Sequence, residues 1–132
     1  MNEKSGYEDR QGHIPGLETP VIETWEFQYP GSETSIEIRI PEFTCICPKT
    51  GLPDFAALVI TYAPDKSCLE LKSLKEYVNF YRDLGIFHEH VVNKVLRDCV
   101  QACKPKSMEV RGVFNPRGGI QTTAVAEYSV LD

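Results

Sequence analysis

No stretch of this chain approaches the roughly 20 consecutive apolar residues that a membrane-spanning helix needs. Its opening, MNEKSGYEDRQGHIPG, is charged where a secretory leader would be apolar. A cytoplasmic protein is therefore expected, without a membrane partner. Positive charge is not in excess either: 14 Lys and Arg stand against 19 Asp and Glu, for a net charge of -5, and the basic residues are scattered. Nucleic-acid backbones are held by grouped Lys and Arg, so nucleic acid is not expected as a partner and a small ligand is. Neither a Gly-x-Gly-x-x-Gly after a strand nor a Walker A loop is present, which removes Rossmann and P-loop nucleotide sites. Five cysteines cannot all pair, and in a reducing compartment they read as free thiols. Cys45 and Cys47 form a Cys-x-Cys, yet no second Cys or His pair stands at finger-like spacing, so no metal site is expected.

What is present suits a single globular domain: 132 residues, 42% hydrophobic and 10% aromatic. Residues 1–20 are polar and rich in glycine, and read as a flexible arm or a segment ordered only against a partner chain. Residues 21–132 form the domain. WEFQY (Trp25 to Tyr29) and SIEIRI (Ser35 to Ile40) alternate around PGSE and predict a hairpin that exposes Glu26, Gln28, Glu37 and Arg39. FAALVITY (Phe55 to Tyr62) is continuously apolar, as in a strand covered on both faces. Ser73 and Glu76 make a capping box for a helix that ends at Gly85. A second helix runs from about His88 to Cys103, with Cys99 and Cys103 on its apolar stripe. MEVRGVF and IQTTAVAEYSV then alternate across Asn115-Pro116-Arg117-Gly118-Gly119. Strands, two helices and strands again predict an α+β domain, an antiparallel sheet with its helices on one face. Its open edges favour pairing with further copies of the chain.

Two places concentrate chemistry. In CPKTGLPDFA (Cys47 to Ala56), a thiol and a carboxylate flank a turn stiffened by Pro48, Gly51 and Pro53. A cysteine attacks as the thiolate, which Lys49 favours, and the turn returns Asp54 toward Cys47. Desolvation at the head of a buried strand equips Asp54 as a proton donor. In CLELKSLKEYVNFYRDLGIFHEH (Cys68 to His90), Glu70, His88 and Glu89 are expected at one end of the helical layer. A carboxylate there accepts paired hydrogen bonds from the N–H edge of a purine-like ring. Lys72 and Lys75 offer charge to a phosphate. The glycines and Arg117 of PRGG suit close approach to a ligand or a neighbouring subunit.

Taken together, CPKTGLPDFA, LELKSLKEY, FHE and PRGG, in this order between about Glu42 and Gly119, resemble the NADPH-dependent 7-cyano-7-deazaguanine reductases, the nitrile reductases of queuosine biosynthesis, in their short form. The resemblance implies the tunnelling fold, a ββααββ-type unit shared with GTP cyclohydrolase I. It further implies a homo-oligomer, pentameric rings stacked as a decamer, with active sites between subunits. It makes Cys47 the nucleophile that forms a covalent thioimide and Asp54 the proton source. Leu69, Glu70, Leu71, His88 and Glu89 would bind the deazaguanine, and Lys72, Lys75 and Arg117 the NADPH. Glu76 departs from the pattern, where an apolar or aromatic residue is usual.

Other readings fit these residues less well. A GTP cyclohydrolase-like zinc enzyme would need a Cys and His ligand set around the pocket, and the intact Cys-Pro-Lys-Thr-Gly turn with Asp54 argues against it. A tRNA-directed amidinotransferase would lack ELKSLKEY and carry a basic surface. A non-catalytic binding module would not need Cys47.

Overall fold

The computed structural model describes residues 8–130. Four strands form one antiparallel sheet in the order β2 (Ile36–Ile46), β3 (Pro53–Ala63), β5 (Ser107–Phe114), β6 (Thr123–Ser129). Helices α1 (Leu71–Asn79) and α2 (His88–Cys103) lie in a layer on one face of it. The α+β class and the antiparallel sheet match the sequence expectation. Ile36, Ile38 and Ile40 face Tyr62, Ile60 and Leu58 across β2 and β3, on the side that the helices cover. Between Ile40 and Phe43 one extra residue bulges out of β2. Inward positions are even-numbered before the bulge and odd-numbered after it, so Phe43 and Cys45 point into the core.

The apolar run on β3 is covered on one face only. Ala56, Leu58, Ile60 and Tyr62 are buried, whereas Val59 is half-buried and Phe55 exposed. Antiparallel pairing puts both helices on the same side, and the other side carries a row of Arg39, Val59, Arg111 and Val125 open to solvent. The expected WEFQY hairpin does not form. β1 (Thr24–Glu26) pairs instead with β4 (Ser67–Leu69), in a separate two-stranded ribbon that buries Phe27 and leaves Trp25 half-exposed. The short turn to β3 gives β2 its partner, while β1 satisfies the otherwise unpaired β4. Glu26, Gln28, Glu37 and Arg39 are exposed as expected.

The N-cap of helix α1 lies three residues before the expected Ser73. Glu70 is the N-cap: its two carboxylate oxygens accept from the Lys72 and Ser73 N–H groups, each at 2.8 Å. Ser73 lies in the first turn, where its hydroxyl accepts from Glu23 N at 2.8 Å and donates to the Glu70 carbonyl at 2.9 Å. The helix tightens into a 3-10 turn, Phe80–Asp83, ahead of Gly85. Helix α2 has the expected bounds and closes on Lys104 in the left-handed conformation, φ 47°.

The segment expected to be a flexible arm is, from residue 8 onward, part of the packed chain. Glu8–Gly16 is a 3-10 helix whose Ile14 is 3% exposed, a burial that stabilises by about 2 kcal/mol. A lone isoleucine among polar residues gave no periodicity by which to find it. Residues 1–7 lie outside the described residues. Leu17 just beyond accepts a hydrogen bond from Lys94 Nζ at 3.2 Å. Buried Lys94 also pairs with Asp98 at 3.2 Å, and Asp98 accepts from Tyr77 at 2.5 Å, so one polar network joins the N-terminal segment, α2 and α1.

Candidate active site

The β2–β3 turn is closed by hydrogen bonds from Cys47 N to the Leu52 carbonyl and from Gly51 N to the Cys47 carbonyl, both 2.8 Å. Gly51 takes φ +72°, a conformation that L side chains resist. Cys45 stands directly opposite Asp54. Cys47, two residues on, is the first residue of the turn beyond β2, and its backbone is hydrogen-bonded to Leu52 and Gly51. The turn therefore brings the chain back past Cys47 two residues before Asp54.

Asp54 is buried, 5% exposed, and each of its oxygens has a partner. Oδ1 meets the Arg117 guanidinium at 2.9 Å, and Oδ2 meets His88 Nε2 at 3.2 Å. Arg117 reaches across from a tight hairpin in which Arg117 and Ile120 exchange backbone hydrogen bonds, and Gly118 and Gly119 both take positive φ. The same guanidinium nitrogen donates to the Pro53 carbonyl. His88 opens α2 and stacks on Phe114, whose place at the end of β5 is fixed by burial. Neither the Arg117–Asp54 pair nor the Phe114 platform was visible in the sequence, because the partners lie 63 and 26 residues apart and meet only through strand order.

All five cysteines are free thiols. Burial, reinforced by Asp54, pushes Cys45 up to about 12; burial likewise pushes Cys103 up to about 11, and raises Cys68 and Cys99. These four are neutral packing groups. Cys47 is the one not buried. Among the described residues no three His, Cys, Asp or Glu side chains gather into a metal-binding group, and no helix is long and apolar enough to cross a membrane.

The second group of expected site residues lies elsewhere. Leu69 N donates to the Tyr62 hydroxyl at 3.0 Å, at the far end of β3 from Asp54. Eight residues of extended chain separate Asp54 from Tyr62, about 26 Å. Glu70 therefore sits at the opposite end of the helical layer from Glu89, because α1 and α2 run in opposite directions. The expected convergence of these carboxylates on one ring does not occur within a chain. The Leu69 side chain is in the core, whereas Leu71, Lys72, Lys75 and Glu89 are exposed. Glu70 is engaged by backbone N–H groups, and the hydrogen bonds from Ser73 and Lys72 hold its carboxyl below the ordinary value. Between α1 and the free edge of β2 runs an open groove of about 350 Å³, walled by Ile38, Ile40, Leu71, Leu74 and Val78, with Lys75 on its rim. Cys47, Asp54 and His88 do not line it.

The site thus belongs to a class of α+β proteins in which a hairpin turn carries a cysteine ahead of a buried aspartate held by arginine and histidine. Residues 53–131 match the family model described as QueF-like protein. The chain is 56% identical to a NADPH-dependent 7-cyano-7-deazaguanine reductase of Elusimicrobium minutum, over 83% of this chain and 82% of that one. It is 52% identical to the enzyme of that name from Nitrosococcus oceani, over 87% and 89%, and 50% identical to that of Chlorobaculum tepidum, over 83% and 93%. The crystal structure of an apo archaeosine synthase QueF-Like superposes with a TM-score of 0.70 at 22% identity, covering 76% of this chain and 99% of that one. The fold is the tunnelling fold, and the chain belongs to the QueF-like family.

Proposed function

We propose that this chain reduces the nitrile of 7-cyano-7-deazaguanine to the primary amine with NADPH, in queuosine biosynthesis, through a covalent adduct on Cys47. The observation that supports the chemistry is the hairpin whose turn opens on Cys47 and closes into a buried Asp54 with a partner on each oxygen. In the first step the Cys47 sulfur bonds to the nitrile carbon, and the thiol proton ends on the nitrile nitrogen by way of Asp54, giving a thioimide with no net change in protons. NADPH, when bound, supplies a hydride in each of two rounds; with two protons these take the nitrile to the amine. Breakage of the C–S bond between the rounds returns Cys47. His88 fixes Asp54 and lies at the entrance of α2, where Glu89 is free to accept from the amide and amino edge of the deazaguanine.

The residues of α1 suit a phosphate-bearing cofactor: Lys72 and Lys75 are exposed, and Lys75 rims the groove beside β2. Arg117 is held by Asp54 but keeps a half-exposed side chain with further N–H groups for a phosphate. Leu69 through its backbone, Glu70 and Leu71 contribute to substrate from a second copy, since about 26 Å separates their end of the layer from Asp54. The unpaired edges β2 and β6 suit ring assembly, pentamers stacked as a decamer. NADPH chemistry and five free thiols agree with a cytoplasmic location.

The test is NADPH oxidation with 7-cyano-7-deazaguanine, for wild type and Cys47→Ala, beside intact mass after incubation with the nitrile alone. Turnover and an adduct in the wild type only support the mechanism; folded protein that gives neither overturns it. A solution mass of a single chain would overturn the shared site.

A further inference from the structure

We propose that Gln11 is a positioning residue of the active site, which makes the N-terminal 3-10 segment a working part of it. The inference rests on the catalytic assignment of Cys47, Asp54 and His88 above. The chain between the two helices, residues 84–87, is extended and largely buried: Gly85 is buried and Ile86 0% exposed. One of its edges is tied to the residue just before the nucleophile. Ile46 N donates to the Leu84 carbonyl at 2.9 Å, and Ile86 N donates to the Ile46 carbonyl at 3.0 Å. On the other edge the groups that point outward are the Gly85 carbonyl and the Phe87 N–H, and one side-chain amide satisfies both. Gln11 Nε2 donates to Gly85 O at 3.0 Å, and its Oε1 accepts from Phe87 N at 3.2 Å.

Gln11 thereby does with one side chain what a third strand would do for this segment. The two hydrogen-bonded edges lead directly to the site: Cys47 follows Ile46, and His88, which holds Asp54, follows Phe87. Phe87 is the N-cap of α2 and supplies no side-chain cap, so the direction in which α2 sets out, and with it the reach of His88 to Asp54, depends on how its backbone is held. Gln11 is itself fixed, because one turn later Ile14 is in the core, and beyond it Lys94 holds the Leu17 carbonyl. Glutamine suits the task since it donates and accepts through one planar amide. Alanine does neither; a glutamate in its charged form sets an acceptor against the Gly85 carbonyl, and in its acid form again donates there.

The test uses the full chain with Gln11→Ala and Gln11→Glu. Four quantities are compared with wild type: the rate of Cys47 adduct formation by intact mass, kcat and KM, the melting temperature, and the NMR resonances of the His88 ring without ligand. Expected for Gln11→Ala is a fall of about tenfold in adduct rate and kcat, as for a catalytic group displaced by a fraction of an ångström, with the KM for NADPH unchanged and His88 shifted. Gln11→Glu should behave likewise near neutral pH and climb back toward wild type as pH falls, a return absent from Gln11→Ala. An unaltered adduct rate with unaltered His88 resonances, or a Gln11→Glu deficit independent of pH, overturns the proposal. If wild type itself forms no adduct, the catalytic assignment has failed, and the His88 resonances alone decide whether Gln11 positions that ring. If Gln11→Ala does not fold, Gln11→Glu across pH makes the same comparison.

Discussion

The imidazole of His88 lies flat on the ring of Phe114, centroids 3.7 Å apart and planes 9° from parallel, while its Nε2 meets Asp54. A hydrogen bond alone would let the ring pivot; the stack holds its plane. Phe114→Leu keeps an apolar side chain in the core but removes the platform. Turnover should fall by about tenfold and stability by about 1–2 kcal/mol, read from steady-state rates and thermal unfolding. Unchanged turnover would show that Asp54 suffices to orient His88.

Arg117 spans the Asp54 carboxylate and the Pro53 carbonyl with one guanidinium. A lysine delivers a point charge and lacks the planar fork. Arg117→Lys is expected to reduce turnover by about tenfold or more, while Arg117→Ala, which leaves Asp54 with His88 alone, should also lower stability by about 1–2 kcal/mol. The measurement is the pair of variants compared in kcat and melting temperature.

At Gly51 the backbone, and not space, demands glycine: φ is +72°, and an added Cβ would meet nothing within 4 Å. Gly51→Ala should therefore cost about 1–2 kcal/mol in strain and slow Cys47 adduct formation by re-aiming the turn. Gly51→Asn, which tolerates this conformation better, should recover part of both. Equal defects in the two variants would contradict this account.

The N-cap carboxylate of Glu70 has a pH signature. Its folded-state value is depressed by the N–H groups of Ser73 and Lys72 from an ordinary 4.5. Its stabilising contribution is therefore present above 4.5 and lost as pH falls through the lower folded value. Glu70→Gln should melt below wild type at neutral pH, and the gap should close in acid. A gap that does not vary with pH would locate the effect elsewhere.

Because four thiols are buried and held neutral, a brief alkylation of the native chain should label Cys47 alone. Mass spectrometry should find one label on the wild type and none on Cys47→Ala.

Local patterns carried most of what the sequence could tell. The bounds of α2, the alternation of β5 and β6 and the turn between Cys47 and Asp54 each depend on neighbours along the chain, and the structure has them where they were expected. The misplaced features depend on distant partners. WEFQY alternates like a hairpin arm, but its partner is a ribbon of three residues beyond β3. Ser73 and Glu76 satisfy a capping pattern, yet the N–H groups at the helix start go to Glu70, at the opposite end of the helical layer from Glu89 of the same chain. Ile14 and Gln11 gave no periodic sign at all: Ile14 packs into the core alone among polar neighbours, and Gln11 matters through hydrogen bonds to residues more than seventy positions away.

The extra residue in β2 acts on this strand as a frameshift acts on a message. Ile36, Ile38 and Ile40 are written in one frame and Phe43 and Cys45 in the other, and the insertion between them lets both be read as inside. A sequence comparison that scored each position by its identity would see Pro41 and Glu42 as two unremarkable exposed residues. Their count is what matters: removing one leaves the pairing of Phe43 with Ala56 and straightens the strand, whereas adding one between Phe43 and Cys45 turns Cys45 out of the core.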